Sequence, residues 1–537
     1  MGWRALGDSA WLYEPGGTDA EANFFHILGL RNQLETSKIP EIHDVVSSFA
    51  SLAVHFDPSV GETVLEWILT QTSHKSDSSP ADPRTITIEV EYGGEDGPDL
   101  TAIAAALGMS ERKIIELHST PTYTVAAVGF SPGFPYLLGL PETLNIPRLS
   151  TPRRVPAGSV AIAGGQAGIY PNDSQGGWHL LGRTRFSLFN PNNHEPSSVR
   201  PGDRVKFLPI IHQESLAHTR ETAAESNEGS LEVLDPGALS SVQDLGRHGY
   251  QSIGVSPGGA TDPESVRVAN RLVGNPDHAA VIECCLQGAH LKFHQTTRAV
   301  FIGWHHEKNG SPIQLNAGDE VDLRTRMIAA RGYIAISGGI QVPLLLGSRA
   351  TDIRAKLGGH HGRFLKSGDL LPIGNPNTGP QTQHWKVTWP LNKIQMQTLT
   401  LRFIAGVQSN FFTSIAHELF RSATFEISQH SDRTGTRLNG PVLGRRDTAE
   451  MISQPVVQGS IQVPPDGRPI ILLAERQTIG GYPQIGHIIS ADLPVIARAM
   501  PGTFIRFQEV SLHAARDAWR QRQHEFRILQ VGLDLLH

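Results

Sequence analysis

Cysteine is almost absent from this 537-residue chain, and its two cysteines, Cys284 and Cys285, are adjacent. Neighbouring residues cannot form an ordinary structural disulfide, so no disulfide framework exists and a reducing compartment is expected. No run of roughly 18 apolar residues occurs, and the N-terminal residues have no apolar core followed by a small-residue cleavage site. We therefore expect a cytoplasmic protein without membrane contact.

Neither sign of charge dominates the chain. Lys and Arg number 46 and Asp and Glu 52, which gives a net charge of −6, and no basic tract stands out. Nucleic-acid binding is therefore not expected. A chain of 537 residues exceeds the size of a single core, so several domains are predicted. The 54 glycines and 36 prolines favour short strands and turns.

The familiar sequence motifs of catalytic and metal-binding sites do not identify a site in this chain. There is no His-Glu-x-x-His and no Cys-x-x-Cys, and we expect neither a serine-hydrolase nucleophile motif nor a Lys–Ser amidase pair. The adjacent pairs His305-His306 and His360-His361 lie in predicted turns. Neighbouring side chains diverge, so these pairs are poor chelators and no metal site is predicted.

Hydrophobic periodicity and glycine–proline punctuation divide the chain into five segments. They are a small α/β domain over 1–80, a β-barrel-like domain over 81–210, a polar linker over 211–229, and β-rich domains over 230–375 and 376–537. Helices are predicted near 18–35 and 60–73, around the alternating segment 51–56. Two more follow the strand 85–94, with Ser110 as an N-cap, and another covers 263–273, with Asp262 as its N-cap.

Two stretches about 300 residues apart resemble each other, residues 156–184 and 458–487. We pair 158–160 with 459–461, 168–171 with 467–470, and 176–182 with 480–486. The later segments 201–207 and 501–507 also correspond. Such self-similarity indicates one structural unit used twice, built of short strands between glycine turns. The aromatic residue after each glycine pair, Trp178 or Tyr482, is placed to cover a pocket.

Four loops carry side chains suited to a polar ligand, and each has a simpler structural explanation. The aromatic and proline loop 129–136 can line a pocket or form a packed corner. Arg153 and Arg154 can bind a carboxylate or phosphate, or one of them can be a surface charge. Residues 241–247 can bind substrate or form a self-satisfied Asp–Arg turn. The glycine-rich loop 254–260 precedes a helix, a weak anion-site signal that Asp262 opposes.

The motifs together resemble a pair of known families. GFSPGFPYL, RRVPAGSVAIAGGQAGIYP and GGWHLLGRT are similar to allophanate hydrolase subunit 1, now called the B-type subunit of 5-oxoprolinase. SVQDLGRHGYQSIGVSPGGATD, SGGIQVP, GSIQVP and QTIGGYP are similar to allophanate hydrolase subunit 2, which is the C-type 5-oxoprolinase or biotin-dependent carboxyltransferase family. The resemblance covers residues 1–210 and 230–510, which is nearly the whole chain.

The resemblance implies a mainly β protein with an α/β N-terminal domain and tandem cyclophilin-like β-barrels, one in the first half and two in the second. It also implies ATP-dependent hydrolysis of a small amide or lactam, with ATP, with or without Mg²⁺, as cofactor and a separate 5-oxoprolinase A-type subunit as partner. A homo-oligomer is left open. The first reading is therefore the fused B and C component of an ATP-dependent 5-oxoprolinase.

Two other functions remain open under the same resemblance. One is the carboxyltransferase part of a urea- or allophanate-type carboxylase, for which a partner would carry biotin. The other is a kinase-inhibitor-like binding protein. The B-then-C order favours 5-oxoprolinase, because urea carboxylases carry these modules in the opposite order. The 537 residues also contain no Met-Lys-Met biotinylation motif.

The candidate site residues follow from the loops and from the two repeat copies. Asp244 and His118 are the general-base candidates. The candidate substrate-binding residues are Phe130, Phe134, Tyr136, Arg153, Arg154, Gln166, Tyr170, Trp178, Arg183, Gln243, Arg247, Asp262, Gln462, Gln477, Thr478 and Tyr482. Arginines would hold a carboxylate or phosphate, amides would bind the lactam or urea group, and rings would cover it.

Overall fold

The computed structural model describes residues 2–16, 19–73, 83–149, 151–210, 230–305, 307–325, 327–376, 386–387, 398–446 and 451–534. The predicted linker over 211–229, most of the polar segment before residue 398, and His306 lie outside these ranges. No helix in the described ranges is both long and apolar enough to cross a membrane.

The N-terminal unit packs two helices on a small antiparallel sheet. Its elements are β1 (Arg4–Ala5), β2 (Ala10–Tyr13), α1 (Ala20–Thr36), β3 (Ile42–Ser48), β4 (Ser51–Phe56) and α2 (Gly61–Ser73), and the sheet order is β1-β2-β4-β3. Asp19 caps α1 by accepting hydrogen bonds from the amides of Glu21 and Ala22. The two predicted helices and the strand between them are confirmed.

A closed seven-stranded barrel follows. Its unit contains β5 (Thr85–Tyr92), α3 (Leu100–Leu107), α4 (Glu111–Ser119), β6 (Thr122–Val128), β7 (Pro135–Leu138), β8 (Arg153–Val155), β9 (Ser159–Ala163), β10 (Gln166–Ile169), β11 (Ser174–Gly176), β12 (His179–Arg183) and β13 (Arg204–Ile210). The barrel order is β10-β7-β6-β13-β5-β12-β9, and β8 pairs with β11 outside it. Ser110 caps α4 by accepting a hydrogen bond from the Lys113 amide, as predicted.

The third unit is a pair of packed sheets. It contains β14 (Ser230–Asp235), β15 (Leu239–Gln243), α5 (Pro263–Leu272), β16 (Val281–Cys285), β17 (His290–Phe293), β18 (Thr297–Ile302), β19 (Ile313–Leu315), β20 (Glu320–Asp322), β21 (Arg331–Ile336) and β22 (Leu370–Pro372). One sheet has the order β20-β17-β14-β22 and the other β15-β16-β21-β18-β19. The predicted helix with its Asp262 cap is confirmed as α5.

The resemblance implied a barrel in this third unit, and there the structure differs. The two sheets enclose one shared core that includes Phe293, Phe301 and Trp304. Among the described residues, no strand pairing joins their edges into a closed cylinder. Facing sheets bury their apolar sides without needing such closure.

A second closed barrel completes the chain. Its unit contains β23 (Thr398–Ala405), α6 (Ser414–Ser422), β24 (Phe425–Ile427), β25 (Gly435–Asn439), β26 (Gln454–Pro455), β27 (Ser460–Gln462), β28 (Ile470–Leu472), β29 (Ile479–Gly480), β30 (Gln484–Ile488), α7 (Leu493–Arg498), β31 (Phe504–Glu509) and α8 (Leu512–Asp534). The barrel order is β23-β30-β27-β28-β25-β24-β31. The mainly β fold with closed barrels in both halves confirms the predicted fold class.

Strand pairing confirms that the repeat is one unit used twice, with one error of register. Val160 pairs with Ile169, and Ile461 pairs with Ile471, so Ile169 corresponds to Ile471. The predicted match of 168–171 with 467–470 is therefore out of step. The hairpin of the second copy is longer. Aligning the glycines of the two copies therefore put this hairpin in the wrong register. The matches at 176–182 and 201–207 agree with the pairing of β12 and of β13.

The long C-terminal helix α8 was not predicted. Its sequence carries many charged residues, but apolar residues recur at helical spacing along one face, at Leu512, Ala515, Trp519, Phe526 and Leu533. In the structure Arg516 is buried, lies 5.0 Å above the Trp11 ring and pairs with Glu62 at 2.7 Å. Further along, Arg522 donates to Glu264 of α5 at 2.8 Å. The helix thus connects the first and third units through these cations and through its apolar face, since Leu512 packs against the N-terminal core and Phe526 and Leu533 are buried against the core beside α5.

Three buried histidines make stability depend on pH. Burial lowers the pKa of His55, His118 and His487 to about 3, so each is neutral in the folded chain. Because the folded-state pKa lies below the unfolded value, stability is fully present above about pH 6.5 and falls as the pH drops toward 3. At pH 5 each histidine is expected to cost about 2 kcal/mol.

We therefore expect the melting temperature to fall between pH 7 and pH 5, and to fall less steeply in the variant His118→Asn. Asparagine keeps an acceptor for the Tyr92 hydroxyl, which lies 2.7 Å from the His118 Nδ1. The matched control is His513→Asn, because the His513 side chain is 82% exposed. Equal slopes for wild type and His118→Asn in scanning fluorimetry would contradict this explanation.

Candidate functional site

A cleft opens where the first barrel meets the third and fourth units. It is lined by Phe130, Ser131, Pro132, Gly254, Ser256, Asp352, Arg354, Ala355, Glu475, Arg476 and Gln477. All three larger units contribute, so the cleft exists only when the halves are docked. A small-molecule site is often found in such a groove between domains.

Two loops of the same sequence pattern form one wall of the cleft. Residues 129–133 read Gly-Phe-Ser-Pro-Gly and residues 254–258 read Gly-Val-Ser-Pro-Gly. They touch through backbone, since the Gly133 amide donates to the Ile253 carbonyl at 2.9 Å. Gly254 has φ +82, and a Cβ there would lie 2.4 Å from the Ser131 carbonyl oxygen. Glycine is therefore required for this close approach.

Both loops match Gly-x-Ser-x-Gly, so the expectation of no such serine motif was wrong. The context differs from a hydrolase nucleophile, which sits on a strand-to-helix turn beside a histidine base. The Ser256 hydroxyl donates to the Ala474 carbonyl at 2.7 Å. Within the described ranges, neither serine has a hydrogen bond to a histidine. The loops therefore act in the structure as the contact between the halves.

Phe130 and Arg354 face each other in the cleft. The Arg354 guanidinium lies 4.8 Å from the centre of the Phe130 ring, within reach of a cation–π interaction. Phe130 has φ +67, a left-handed conformation uncommon for a bulky residue. Arg354 is exposed to solvent, and the surrounding protein lowers its pKa. Among the described residues, Arg354 has no hydrogen-bond or ion-pair partner.

Glu475 supplies a titratable carboxyl group. It is 5% exposed and accepts a hydrogen bond from Arg433. Burial raises the pKa of Glu475 to about 7, with Arg433 opposing that rise and Asp352 adding to it. Arg433 is shared, because it also binds Glu283, whose pKa is held below its usual range by Arg433 and Arg331 against the effect of burial. One cation thus serves two carboxylates.

Arg476 and Gln477 complete the polar wall. The Arg476 guanidinium donates to the Gln251 side chain at 2.8 Å, and burial lowers its pKa to about 10. Gln251 in turn donates to Asp44 of β3 at 2.9 Å. Gln477 donates to Gln462 at 3.1 Å. These contacts connect the cleft to the N-terminal unit and to the second repeat copy.

The structure brings the predicted aromatic residues of the first half together, mostly as a packed cluster. Phe134, Tyr136, Tyr170 and Trp178 are each no more than 6% exposed. The Phe134 ring lies 4.9 Å from Tyr136, 5.1 Å from Tyr170 and 5.7 Å from Trp178. Phe130, at 5.4 Å from Phe134, is the member that lines the cleft. The four inner rings support Phe130 rather than face the cleft.

The predicted polar residues of the first half lie away from the cleft. Arg153 is bound to Asp99, and Arg154 pairs with Asp173 at 3.0 Å with its side chain 78% exposed. Arg183 is exposed and donates to the Ala157 carbonyl at 2.8 Å. Gln166 is half-buried on β10 and does not line the cleft. The three arginines therefore have internal partners.

In the second half, several predicted residues hold loops together. Asp244 is 6% exposed and accepts hydrogen bonds from Gly246 and Arg349 amides and from the Ser348 hydroxyl, at 2.7, 2.6 and 2.7 Å. With its oxygens engaged in this way, its placement does not support a general-base role. Arg247 is buried and donates to the Ala350 carbonyl.

Other predicted residues of the second half have similar structural partners. Gln243 is buried and donates to the Thr351 carbonyl at 3.1 Å. Asp262 is buried, caps α5 and binds Arg498 at 2.5 Å. Gln462 and Thr478 are 2% and 1% exposed, and Tyr482 is 41% exposed. Of the second-half predictions, Gln477 lines the cleft.

His118 lies in the core of the first barrel. It is 0% exposed and stacks on Phe207 at 4.7 Å. Burial lowers its pKa to about 3, and no cleft residue contacts it. Its position does not support a general-base role, and it is not brought together with the other candidates.

Sequence analysis missed Arg354, Glu475, Arg476, Asp352, Ser131 and Ser256 as cleft residues. Ser131 and Ser256 carried a usable signal, because their loops share one five-residue pattern. Arg354 and Glu475 carried none, since each stands in a loop whose position depends on docking.

Comparison with known proteins covers most of the chain. A family described as "Carboxyltransferase domain, subdomain C and D" matches residues 1–199, and "Carboxyltransferase domain, subdomain A and B" matches residues 253–509. The chain is 34% identical to the C-type subunit of 5-oxoprolinase from Escherichia coli K12, over 56% of this chain and 97% of that protein. It is 52% identical to the B-type subunit of 5-oxoprolinase from Escherichia coli O157:H7, over 25% of this chain and 62% of that protein.

Two further similarities bear on architecture. The crystal structure of TTHA0988 superposes with a TM-score of 0.80 at 32% identity, over 93% of this chain and 99% of that chain. Urea amidolyase of Lachancea kluyveri is 31% identical over 56% of this chain, but the match covers 18% of that enzyme. The chain therefore belongs to the carboxyltransferase-domain family that includes the 5-oxoprolinase subunits, with the B-type part preceding the C-type part in one polypeptide.

Proposed function

We propose that this chain is the fused B and C component of an ATP-dependent 5-oxoprolinase that works with a separate A-type subunit. The proposal rests mainly on the fusion of the two parts in one chain. The first half matches a B-type subunit, and the second half matches 97% of a C-type subunit. The cleft between the halves supports the proposal. It combines a cation, amide groups and a titratable carboxyl group, which are the functions that lactam hydrolysis requires.

Glu475 has the chemistry for proton transfer in this cleft. In 5-oxoproline the C–N bond of a stable lactam must break, and the departing nitrogen must receive a proton. A carboxyl group with a pKa of about 7 is half protonated near neutral pH and can give or accept that proton. Gln477 at the same wall offers an amide for the lactam group.

ATP would make cleavage easier by phosphorylating the lactam carbonyl oxygen before water attacks. The cleft does not suit the nucleotide itself. Asp352 and Glu475 line the cleft and would repel a triphosphate. We therefore place nucleotide binding on the A-type subunit.

The test is to mix the purified chain with a cognate A-type subunit, ATP and 5-oxoproline. We expect glutamate release that depends on ATP and on both proteins. Biotin-dependent carboxylation of urea, with a biotin carboxylase present and no glutamate released, would instead establish the carboxyltransferase function suggested by the urea amidolyase match.

A fragment experiment separates either enzyme from a binding protein. Chains 1–210 and 230–537 would be produced separately, so that the cut removes the polar segment between them. Contacts such as Asp44 with Gln251 and Asp8 with Ser490, at 2.9 and 2.7 Å, hold the halves together. We expect each fragment to be inactive and the mixture to recover activity. A kinase inhibitor would keep its full effect in the first fragment alone.

A further inference from the structure

We propose that the cleft between the halves selects a small ligand carrying one carboxylate, and that Arg354, held over Phe130, is the residue that binds it. This inference rests on the proposed function in taking 5-oxoproline as the example of such a ligand. None of the arginines predicted from the sequence, Arg153, Arg154, Arg183 and Arg247, lines the cleft.

Arg354 is the unpaired arginine of the cleft, among the residues that the structure describes. The other cleft arginine, Arg476, is 5% exposed and already donates to Gln251. Arg354 is exposed within the cleft and, in the described part of the chain, makes no hydrogen bond or ion pair. A guanidinium offers a planar fork of donors that matches a carboxylate. An unsatisfied fork inside a groove is thus available to a ligand.

Phe130 holds the Arg354 guanidinium in position. The Phe130 ring beneath the guanidinium restricts the plane in which the donors lie. Phe130 itself is fixed from below by Phe134 at 5.4 Å and Tyr170 at 6.3 Å. Its left-handed backbone conformation is kept by this packing. Strained residues of this kind concentrate at binding sites, where the surroundings hold them in place.

The charges around Arg354 favour a ligand with a single negative charge. Asp352, Asp432 and Glu475 act on Arg354 through space without contacting it. One available cation near several carboxylates suits a monoanion and repels a multiply charged phosphate. A neutral substrate such as urea would form no ion pair with Arg354.

The experiment measures binding rather than turnover. The whole chain, alone and mixed with a cognate A-type subunit, is titrated by calorimetry with 5-oxoproline, with 2-pyrrolidinone, which is the same lactam without the carboxylate, and with inorganic phosphate. We expect 5-oxoproline to bind at least about tenfold more tightly than 2-pyrrolidinone, and phosphate not to compete.

Variants test whether Arg354 causes the preference for 5-oxoproline over 2-pyrrolidinone. Arg354→Met is expected to abolish the preference for 5-oxoproline while leaving the 2-pyrrolidinone affinity unchanged. Arg354→Lys keeps the charge without the fork and should retain part of the preference, and Phe130→Leu should weaken it less than Arg354→Met does. Arg421→Met is the matched control, because Arg421 is exposed and pairs with Glu509 outside the cleft.

Different results would contradict the binding role of Arg354 and the proposed function. Equal affinity for the two lactams, no binding in either state, competition by phosphate, or an unchanged preference in Arg354→Met would overturn the inference. If the preference is present and lost in Arg354→Met but no ATP-dependent glutamate is released, the proposed function fails and the binding role stands. If glutamate is released and the KM for 5-oxoproline is unchanged in Arg354→Met, the binding role of Arg354 fails and the proposed function stands.

Discussion

Glu475→Gln is expected to lower the kcat for ATP-dependent glutamate release by about 100-fold or more, because glutamine cannot transfer a proton. The binding groups of the cleft are unaltered, so KM for 5-oxoproline should change little. The wild-type rate should also decline as pH rises above about 7, since the carboxyl group of Glu475, with a pKa of about 7, then loses the proton it would donate. That alkaline decline should be absent from the variant.

Stability provides an independent readout of the same residue. The folded-state pKa of Glu475 is raised, so its contribution is fully present below the unfolded value of about 4.5 and is lost as pH rises through 7. Glutamine imitates the protonated form and can still accept from Arg433. We expect Glu475→Gln to melt no lower than wild type at pH 8.

Steady-state kinetics across pH 6–9 check this prediction. The matched control is Glu418→Gln, an exposed residue on α6 outside the cleft, which should leave kcat and the pH profile unaltered. A Glu475→Gln enzyme with full kcat and the wild-type alkaline decline would show that the proton comes from another group.

Replacing Arg433 with methionine is expected to destabilise the second half by about 3–5 kcal/mol. Arg433 is buried and binds Glu283 of β16 and Glu475, and it donates to the Thr261 hydroxyl at 3.1 Å and to the Gly259 carbonyl. These contacts join the fourth unit to the third. Methionine would leave two buried carboxylates without their shared cation, which costs far more than losing an exposed ion pair.

Thermal unfolding followed by fluorimetry gives the measurement, with an expected fall in melting temperature of roughly 6–20 °C. The control Arg421→Met removes an exposed pair with Glu509 and should change stability by less than about 1 kcal/mol. Adding Glu475→Gln to Arg433→Met should restore part of the loss, because one uncompensated charge disappears. An Arg433→Met protein that melts with wild type would refute the shared-cation account.

Structural features that depend on residues close together in the sequence could be predicted from the sequence. The helices α4 and α5 were recognised together with their N-caps, because Ser110 and Asp262 accept hydrogen bonds from amides three residues away. The repeat was recognised because glycine turns recur in order. In contrast, α8 was not predicted although its apolar residues recur at helical spacing, and the open edges of the third unit depend on strand pairing between distant segments.

For the site, the sequence alone identified Phe130 and Gln477 as candidate substrate-binding residues, and both line the cleft. Only the tertiary structure decided that Arg354 is unpaired and that Glu475 shares its cationic partner with another carboxylate. It also decided that His118 and Asp244 have structural partners away from the cleft. The physical reason is that pKa, burial and pairing are set by the surroundings of a side chain. Here those surroundings come from units separated by hundreds of residues, which meet only when the two halves dock.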